Sequence, residues 1–169
     1  MYQSLKSDFP ILQKKIRNNN ITYLDTASTS QKPNSVIESI TNFYQNSYEN
    51  VHRGMNSLSI DATEIFEASR EKIKNFINAK SSNEIIFTKN ATEGTNIIAH
   101  AMSSLLNDGD EIITTELEHH SNFLPWLSLC KNKNLKFKVI PLLPNGTIKE
   151  EDVINAISSS TKLVAISHM

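Results

Sequence analysis

The stretch that decides the fold is EIITTELEHHSNFLPWLSLCKNKNLKFKVIPL, residues 111–142. It opens with an apolar, β-branched run at 111–116, continues with a helical pattern over 122–132 and closes with a second apolar run at 136–142. Two strands joined by a helix pair in parallel, because a crossover of this length returns the chain to the same end of the sheet. The sequence therefore predicts an α/β fold with a mostly parallel sheet and helices on both faces.

The same alternation continues on both sides of this stretch. Residues 83–88 predict a strand and residues 91–106 a helix before it, while residues 149–157 predict a helix and residues 162–167 a last strand after it. The carboxyl ends of parallel strands meet at one edge of the sheet, and ligands bind there. The polar segments that follow the predicted strands are therefore expected to face one crevice.

The part of the chain before residue 83 has a different pattern. Residues 21–28 predict a brief strand that runs into a loop of small residues, and Pro33 opens a helix. A longer helix is predicted at about residues 59–78. We accordingly separate a short N-terminal segment, residues 1–20, from a larger unit, residues 21–169.

Composition excludes several classes of function. The 169 residues carry a net charge of −1 and no basic face, so nucleic acid is not expected as a partner. No apolar run is long enough to span a membrane, and the N-terminus has no leader pattern, which predicts a cytoplasmic protein. The single cysteine, Cys130, excludes an intrachain disulfide, and its helical surroundings predict a small core residue.

The turn TKNATEGTN, residues 88–96, lies between a predicted strand and a predicted helix. The free amides at such a helix start, together with the Thr92 hydroxyl, suit a phosphate group. The alternative is a capping motif with Thr92 as N-cap and no ligand. Spacing leaves both interpretations open, since the turn contains neither a P-loop nor a GxGxxG fingerprint.

Two adjacent histidines, His119 and His120, follow the strand at 111–116. A metal site is not expected, because neighbouring side chains diverge and no further ligands are grouped with them. An imidazole that faces a cofactor or acts as acid or base is one interpretation, and a structural histidine near the helix start is the other. The loops around Ala27 and His52 are likewise either ligand contacts or ordinary connections.

Four segments taken together resemble the cysteine desulfurases of the SUF type. They are YLDTASTSQKP (23–33), VHRGMNSLSIDAT (51–63), EIIFTKNATEGTN (84–96) and GDEIITTELEHHSNFLPW (109–126). Those enzymes belong to the class-V group of pyridoxal-phosphate (PLP) enzymes, which have the aspartate-aminotransferase fold. The resemblance implies that this chain is the N-terminal part of the large PLP-binding domain.

The resemblance also assigns roles to individual residues. It implies that His119 stacks on the PLP ring and moves protons, and that Ala91 and Thr92 bind the PLP phosphate. Ala27 and His52 are expected near the bound substrate. Many relatives have a histidine two residues after HRG, whereas this chain has Asn56, so that part of the substrate entrance departs from the pattern.

The implied reaction removes sulfur from L-cysteine as an enzyme persulfide and releases L-alanine, for iron–sulfur cluster assembly. Implied partners are a second copy in a homodimer and a sulfur-acceptor protein. The Schiff-base lysine, the aspartate at the pyridine nitrogen and the nucleophilic cysteine are expected beyond residue 169, so the chain alone is expected to be inactive. Selenocysteine lyase or another class-V lyase is the alternative activity, and a non-catalytic remnant or interaction module is the alternative of another class.

Overall fold

The computed structural model describes residues 5–168. Its internal contacts divide the chain into two compact units, Met1–Ile86 and Phe87–Met169, and each unit is described by itself. None of the helices among the described residues is long and apolar enough to cross a membrane.

The first unit is built on two long helices, α1 (Asn34–Asn46) and α2 (Ser57–Phe76). A single 3₁₀ turn, Pro10–Gln13, and a short antiparallel hairpin of β1 (Lys15–Ile16) and β2 (Asn19–Asn20) precede them. Both helices begin close to where the sequence predicts. Pro33 is the extended N-cap of α1, and the Asn56 side chain caps α2 by accepting a hydrogen bond from the Ser59 amide at 2.9 Å.

Two predicted strands are wrong. Residues 21–25 form no strand and lead into a turn at 26–28, where the Tyr23 hydroxyl donates to the Thr29 carbonyl and lies 3.0 Å from the Asp25 carbonyl. Residues 82–84 form a 3₁₀ turn and residues 85–88 belong to no strand, although Ile85 has an extended backbone (φ −97°, ψ 114°). An apolar run becomes a strand only when another backbone pairs with it, and none does so here within residues 5–168.

The second unit alternates helices and parallel strands, as the sequence predicts. The strands β3 (Glu111–Thr115), β4 (Lys136–Ile140) and β5 (Thr161–Val164) are ordered β4–β3–β5, and both pairs are parallel. The prediction of a mostly parallel sheet is therefore confirmed for this unit. Its elements, in chain order, are α3 (Ala91–Met102), β3 (Glu111–Thr115), α4 (Leu124–Lys133), β4 (Lys136–Ile140), α5 (Glu150–Ala156) and β5 (Thr161–Val164).

Strand β3 lies at the centre of this sheet and all of its residues are buried. Ile112 contacts a cluster that includes Ala99 of α3 and Trp126 of α4, whereas Ile113 contacts Ala156 of α5. Because successive side chains of a strand point to opposite faces, helices cover both faces of the sheet. The predicted arrangement of helices is thus confirmed, and the carboxyl end of β3 is held firmly from both sides.

Candidate functional site

An open cavity of about 430 Å³ lies in the second unit, where the start of α3 approaches the segment that follows β3. It brings together Thr92 and His119, two of the residues singled out in the sequence. Ala91 is the first residue of the same helix as Thr92. The full lining is Thr92, Asn96, His119, His120, Ser121, Leu124, Pro125 and Ser128.

The start of α3 is capped by Asn90 and not by Thr92. The Asn90 side-chain oxygen accepts a hydrogen bond from the Glu93 amide at 2.9 Å, and the Glu93 carboxylate accepts one from the Lys89 amide at 2.6 Å. Asn90 has the extended backbone of a cap (φ −168°, ψ 175°), whereas Thr92 is already helical. The interpretation of Thr92 as N-cap is therefore wrong.

This arrangement leaves a set of hydrogen-bond donors at the helix start. The amides of Ala91 and Thr92 and the exposed Thr92 hydroxyl have no acceptor among residues 5–168. The positive end of the helix dipole lies at the same point, so the donors and the field together fit a phosphate group. The negative charge of Glu93 is offset in part by the exposed Lys89 ammonium, 4.0 Å away.

The His119 ring is fixed by Ser121. Its Nδ1 accepts a hydrogen bond from the Ser121 amide at 3.1 Å and lies 2.9 Å from the Ser121 hydroxyl. A backbone amide can only donate, so Nδ1 must keep its lone pair and Nε2 carries the proton of the neutral ring. His119 is exposed and lines the cavity, where it offers a flat ring face and an Nε2–H group that can donate a hydrogen bond.

Glu118 is a buried charged residue that the sequence interpretation missed. Burial raises the pKa of this carboxyl group, but hydrogen bonds from the Ser167 side chain and amide, from Asn122 and from Thr115 outweigh that effect. The pKa of Glu118 is therefore lowered below its ordinary value of 4.5, and the group is a carboxylate at neutral pH. The only hint in the sequence was its position, directly before the paired histidines at a strand end.

His52 belongs to the first unit and is held by α2. Its amide donates to the Thr63 hydroxyl at 2.9 Å, its Nε2 lies 3.3 Å from a Glu67 carboxylate oxygen, and its ring meets the Phe66 ring edge-on. The backbone of His52 is left-handed (φ 71°). These contacts give the imidazole of His52, the first residue of the HRG motif, a defined place beside α2.

The other two features of the first unit are the Ala27 loop and Asn56. Ala27 lies exposed in the turn at residues 26–28. Asn56, where the chain departs from the family pattern, caps α2. The predicted roles of Ala27 and His52 in substrate binding are not tested by these contacts and stay predictions.

Metal and thiol chemistry find little support among the described residues. Within residues 5–168 no three His, Cys, Asp or Glu side chains are grouped as metal ligands. Burial raises the pKa of the Cys130 thiol to about 11, and only 3% of the residue is exposed. Cys130 packs in the core beside Ile112, which confirms its interpretation as a core residue.

Comparisons with known proteins agree on one family. The family model for aminotransferase class-V matches residues 22–169. A cysteine desulfurase of Salmonella dublin is 41% identical over 168 residues, which are 99% of this chain and 41% of that relative. The chain thus spans less than half the length of the curated relatives it matches.

Solved structures agree with the sequence comparison. The apo structure of a cysteine desulfurase from Thermococcus onnurineus NA1 superposes with a TM-score of 0.86 at 35% identity, covering 97% of this chain and 39% of that one. The cysteine desulfurase CsdA from Escherichia coli gives a TM-score of 0.78 at 31% identity, covering 96% and 40%.

Proposed function

The chain belongs to the aminotransferase class-V family, and from this premise we propose that the protein is a PLP-dependent cysteine desulfurase. Its substrate is L-cysteine, from which it takes the sulfur as an enzyme persulfide and leaves L-alanine. The single observation that carries the proposal is that the donor set of Thr92 and the ring of His119 line one cavity. A flat ring with a phosphate arm requires these two features together.

The residues present fit PLP. The Ala91 and Thr92 amides and the Thr92 hydroxyl would hold the phosphate, since they are the donors that lack an acceptor at the start of α3. His119 would cover the ring with its imidazole face. When bound, PLP supplies an electron sink for the bonds at the substrate Cα.

His119 has a second role in this proposal, as the group that moves a proton. Because Nδ1 is engaged by the Ser121 amide, the exchangeable proton is at Nε2. Leu124 and Pro125 add apolar surface to the same cavity. The fixed tautomer presents the same atom to every substrate molecule.

The remaining assignments are proposals of the same origin. Ala27 and His52 contact the substrate, and Glu67 orients the His52 imidazole through the 3.3 Å contact. Residues 21–169 form the N-terminal part of the PLP-binding domain. We place the protein in the cytoplasm as a homodimer of the SUF system, where it passes sulfur to an acceptor protein for iron–sulfur cluster assembly.

The 169-residue chain by itself is proposed to be inactive. It spans 41% of its curated relative, and the resemblance assigns the Schiff-base lysine and the nucleophilic cysteine to the remaining part. Assays of function therefore use the full-length protein that carries this chain, reconstituted with PLP. Release of L-alanine by the isolated chain would contradict this part of the proposal.

The test measures L-alanine and sulfide released from L-cysteine in the presence of a reductant. Wild-type protein should release both in equal amounts, and His119→Ala should lower kcat by about 100-fold or more, as the loss of a general acid–base group does. His100→Ala is the matched control, because His100 is an exposed histidine of α3 that does not line this cavity. Failure of the wild type to form L-alanine overturns the proposal, and faster turnover of L-selenocysteine would favour the lyase activity instead.

A further inference from the structure

We propose that Glu118 is the positioning residue for His119, a buried carboxylate that ties the segment carrying this histidine to the ends of two parallel strands. Its importance for catalysis rests on the function proposed above. The positioning can be measured without substrate or cofactor.

The Glu118 carboxylate accepts four hydrogen bonds. Oε1 accepts from the Thr115 hydroxyl at 2.9 Å and the Ser167 amide at 2.8 Å, and Oε2 accepts from the Asn122 side-chain amide and the Ser167 hydroxyl, both at 2.6 Å. Thr115 ends β3, and Ser167 follows β5, which pairs with β3. One side chain thus joins the two strand ends at the edge where the cavity lies.

All four partners of this carboxylate are donors. An amide at this position would set its NH2 group against the Ser167 main-chain amide or the Asn122 side-chain amide, which can only donate, and would leave a buried polar group without a partner. An ionised glutamate satisfies every contact, and its length reaches Ser167 and Asn122 at once. The arrangement therefore favours a carboxylate over an amide of the same size.

The constraint reaches His119 through Asn122. The Asn122 side chain donates to Glu118, its main-chain amide donates to the His119 carbonyl at 2.8 Å, and its side-chain oxygen accepts from the indole of Trp126 at 3.0 Å. Trp126 is anchored in the core, with 4% of its surface exposed. His119 is consequently held between Glu118 and Asn122, whose side chains are both fixed by hydrogen bonds.

The hydrogen bonds of Glu118 and Asn122 fix the backbone on both sides of Ser121, so that the Ser121 amide donates to Nδ1 of His119. Loss of the Glu118 carboxylate should release the 118–122 segment, so the Ser121 amide would no longer select one tautomer of the ring. A purely structural role would lower stability and leave the tautomer of the folded protein unchanged. The tautomer is therefore the readout that separates the two roles.

The experiment compares Glu118→Gln with the matched control Glu116→Gln in the 169-residue chain. The exposed Glu116 carboxylate lies two residues away and accepts one hydrogen bond, from the Leu142 amide. Nitrogen-15 NMR of labelled histidine reports the tautomer, with the His119 signals assigned by their loss in His119→Gln. Hydrogen exchange reports the Ser121 amide.

Wild type and Glu116→Gln should show Nδ1 of His119 unprotonated in the neutral ring. Glu118→Gln should show a mixture of tautomers and exchange of the Ser121 amide at least about 10-fold faster. An unchanged tautomer and exchange rate in folded Glu118→Gln overturns the proposal. If that variant does not fold, Ser167→Ala, which removes one of the four donors, must give a smaller change in the same direction, and no change there overturns the proposal as well.

Kinetics of the full-length protein link the positioning to the reaction. Glu118→Gln should lower kcat for L-cysteine about 10-fold or more with little change in KM, because a misplaced proton donor affects the chemical step. A tautomer change without turnover in the wild type would refute the desulfurase proposal and leave the positioning intact. An unchanged kcat in Glu118→Gln beside an active wild type would refute the importance of the positioning for catalysis and leave the desulfurase proposal intact.

Discussion

The substitution Thr92→Val tests the phosphate site with little disturbance of the protein. It replaces the hydroxyl by a methyl group and keeps the β-branched shape. The Thr92 hydroxyl is exposed and has no acceptor among residues 5–168, so the free energy of unfolding should change by no more than about 0.5 kcal/mol. Any large effect must then come from a bound ligand.

The expected effect on PLP binding follows from the hydrogen bond that is lost. A hydrogen bond to a charged group contributes about 1.5–3 kcal/mol, which corresponds to a dissociation constant raised about 10- to 150-fold. The Ala91 and Thr92 amides remain as donors, so binding should weaken and not disappear. The helix dipole is also unchanged by the substitution.

The assay titrates the full-length apo-protein with PLP and, in parallel, with pyridoxal, which lacks the phosphate. Thr92→Val should weaken the binding of PLP and leave the binding of pyridoxal unchanged. Thr95→Val is the control, since Thr95 is on the same helix but does not line the cavity. Equal PLP affinity in Thr92→Val and wild type, or an equal loss for both ligands, would show that the Thr92 hydroxyl does not bind the phosphate.

Three further predictions concern the second unit. Cys130 should react with a thiol reagent at pH 8 at least about 100-fold more slowly in the native than in the unfolded protein, because burial raises its thiol pKa to about 11; rapid native labelling would contradict this. Ile112→Ala should lower the free energy of unfolding by about 2–5 kcal/mol in urea titrations, because Ile112 is fully buried, and the exposed control Leu105→Ala should change it by less than about 0.5 kcal/mol. The pKa of Glu118 is lower in the folded protein than its ordinary value of 4.5. The ionised Glu118 therefore stabilises the fold above pH 4.5, and this stabilisation is lost as the pH falls through the lowered pKa of the folded state. In Glu118→Gln the free energy of unfolding should therefore fall less steeply as the pH is lowered below 4.5. An equally steep fall in this variant would show that Glu118 does not contribute to the acid dependence of stability.

The sequence was informative where structure depends on local periodicity. Strands β3, β4 and β5 and the helices between them follow from apolar runs of strand length alternating with helical stripes. Thr92 and His119 line one cavity, as expected, but the rule on parallel strand ends explains only the position of His119, because the residues before Thr92 form no strand. The inference of alternating strands and helices uses a rule that needs no knowledge of a distant contact.

The errors arose where a second backbone or a competing side chain decides the outcome. Residues 21–28 and 83–88 have strand-like composition, but no backbone pairs with them within residues 5–168. In the turn before α3, both Asn90 and Thr92 are good caps by residue type, and the extended backbone of Asn90 determines which of them caps the helix. Residue type indicates which structures a segment can form, but the tertiary fold decides which backbone or side chain it contacts.

The helices and parallel strands of the second unit, and Thr92 at the start of a helix, were therefore accessible from the amino acids alone, since periodicity and the chemistry of helix ends are local properties. The Glu118 network was not, because the Ser167 donors that satisfy its carboxylate are 49 residues away along the chain. Hydrogen bonds depend on distance and direction in space, so folding alone brought together the groups that hold His119 in place.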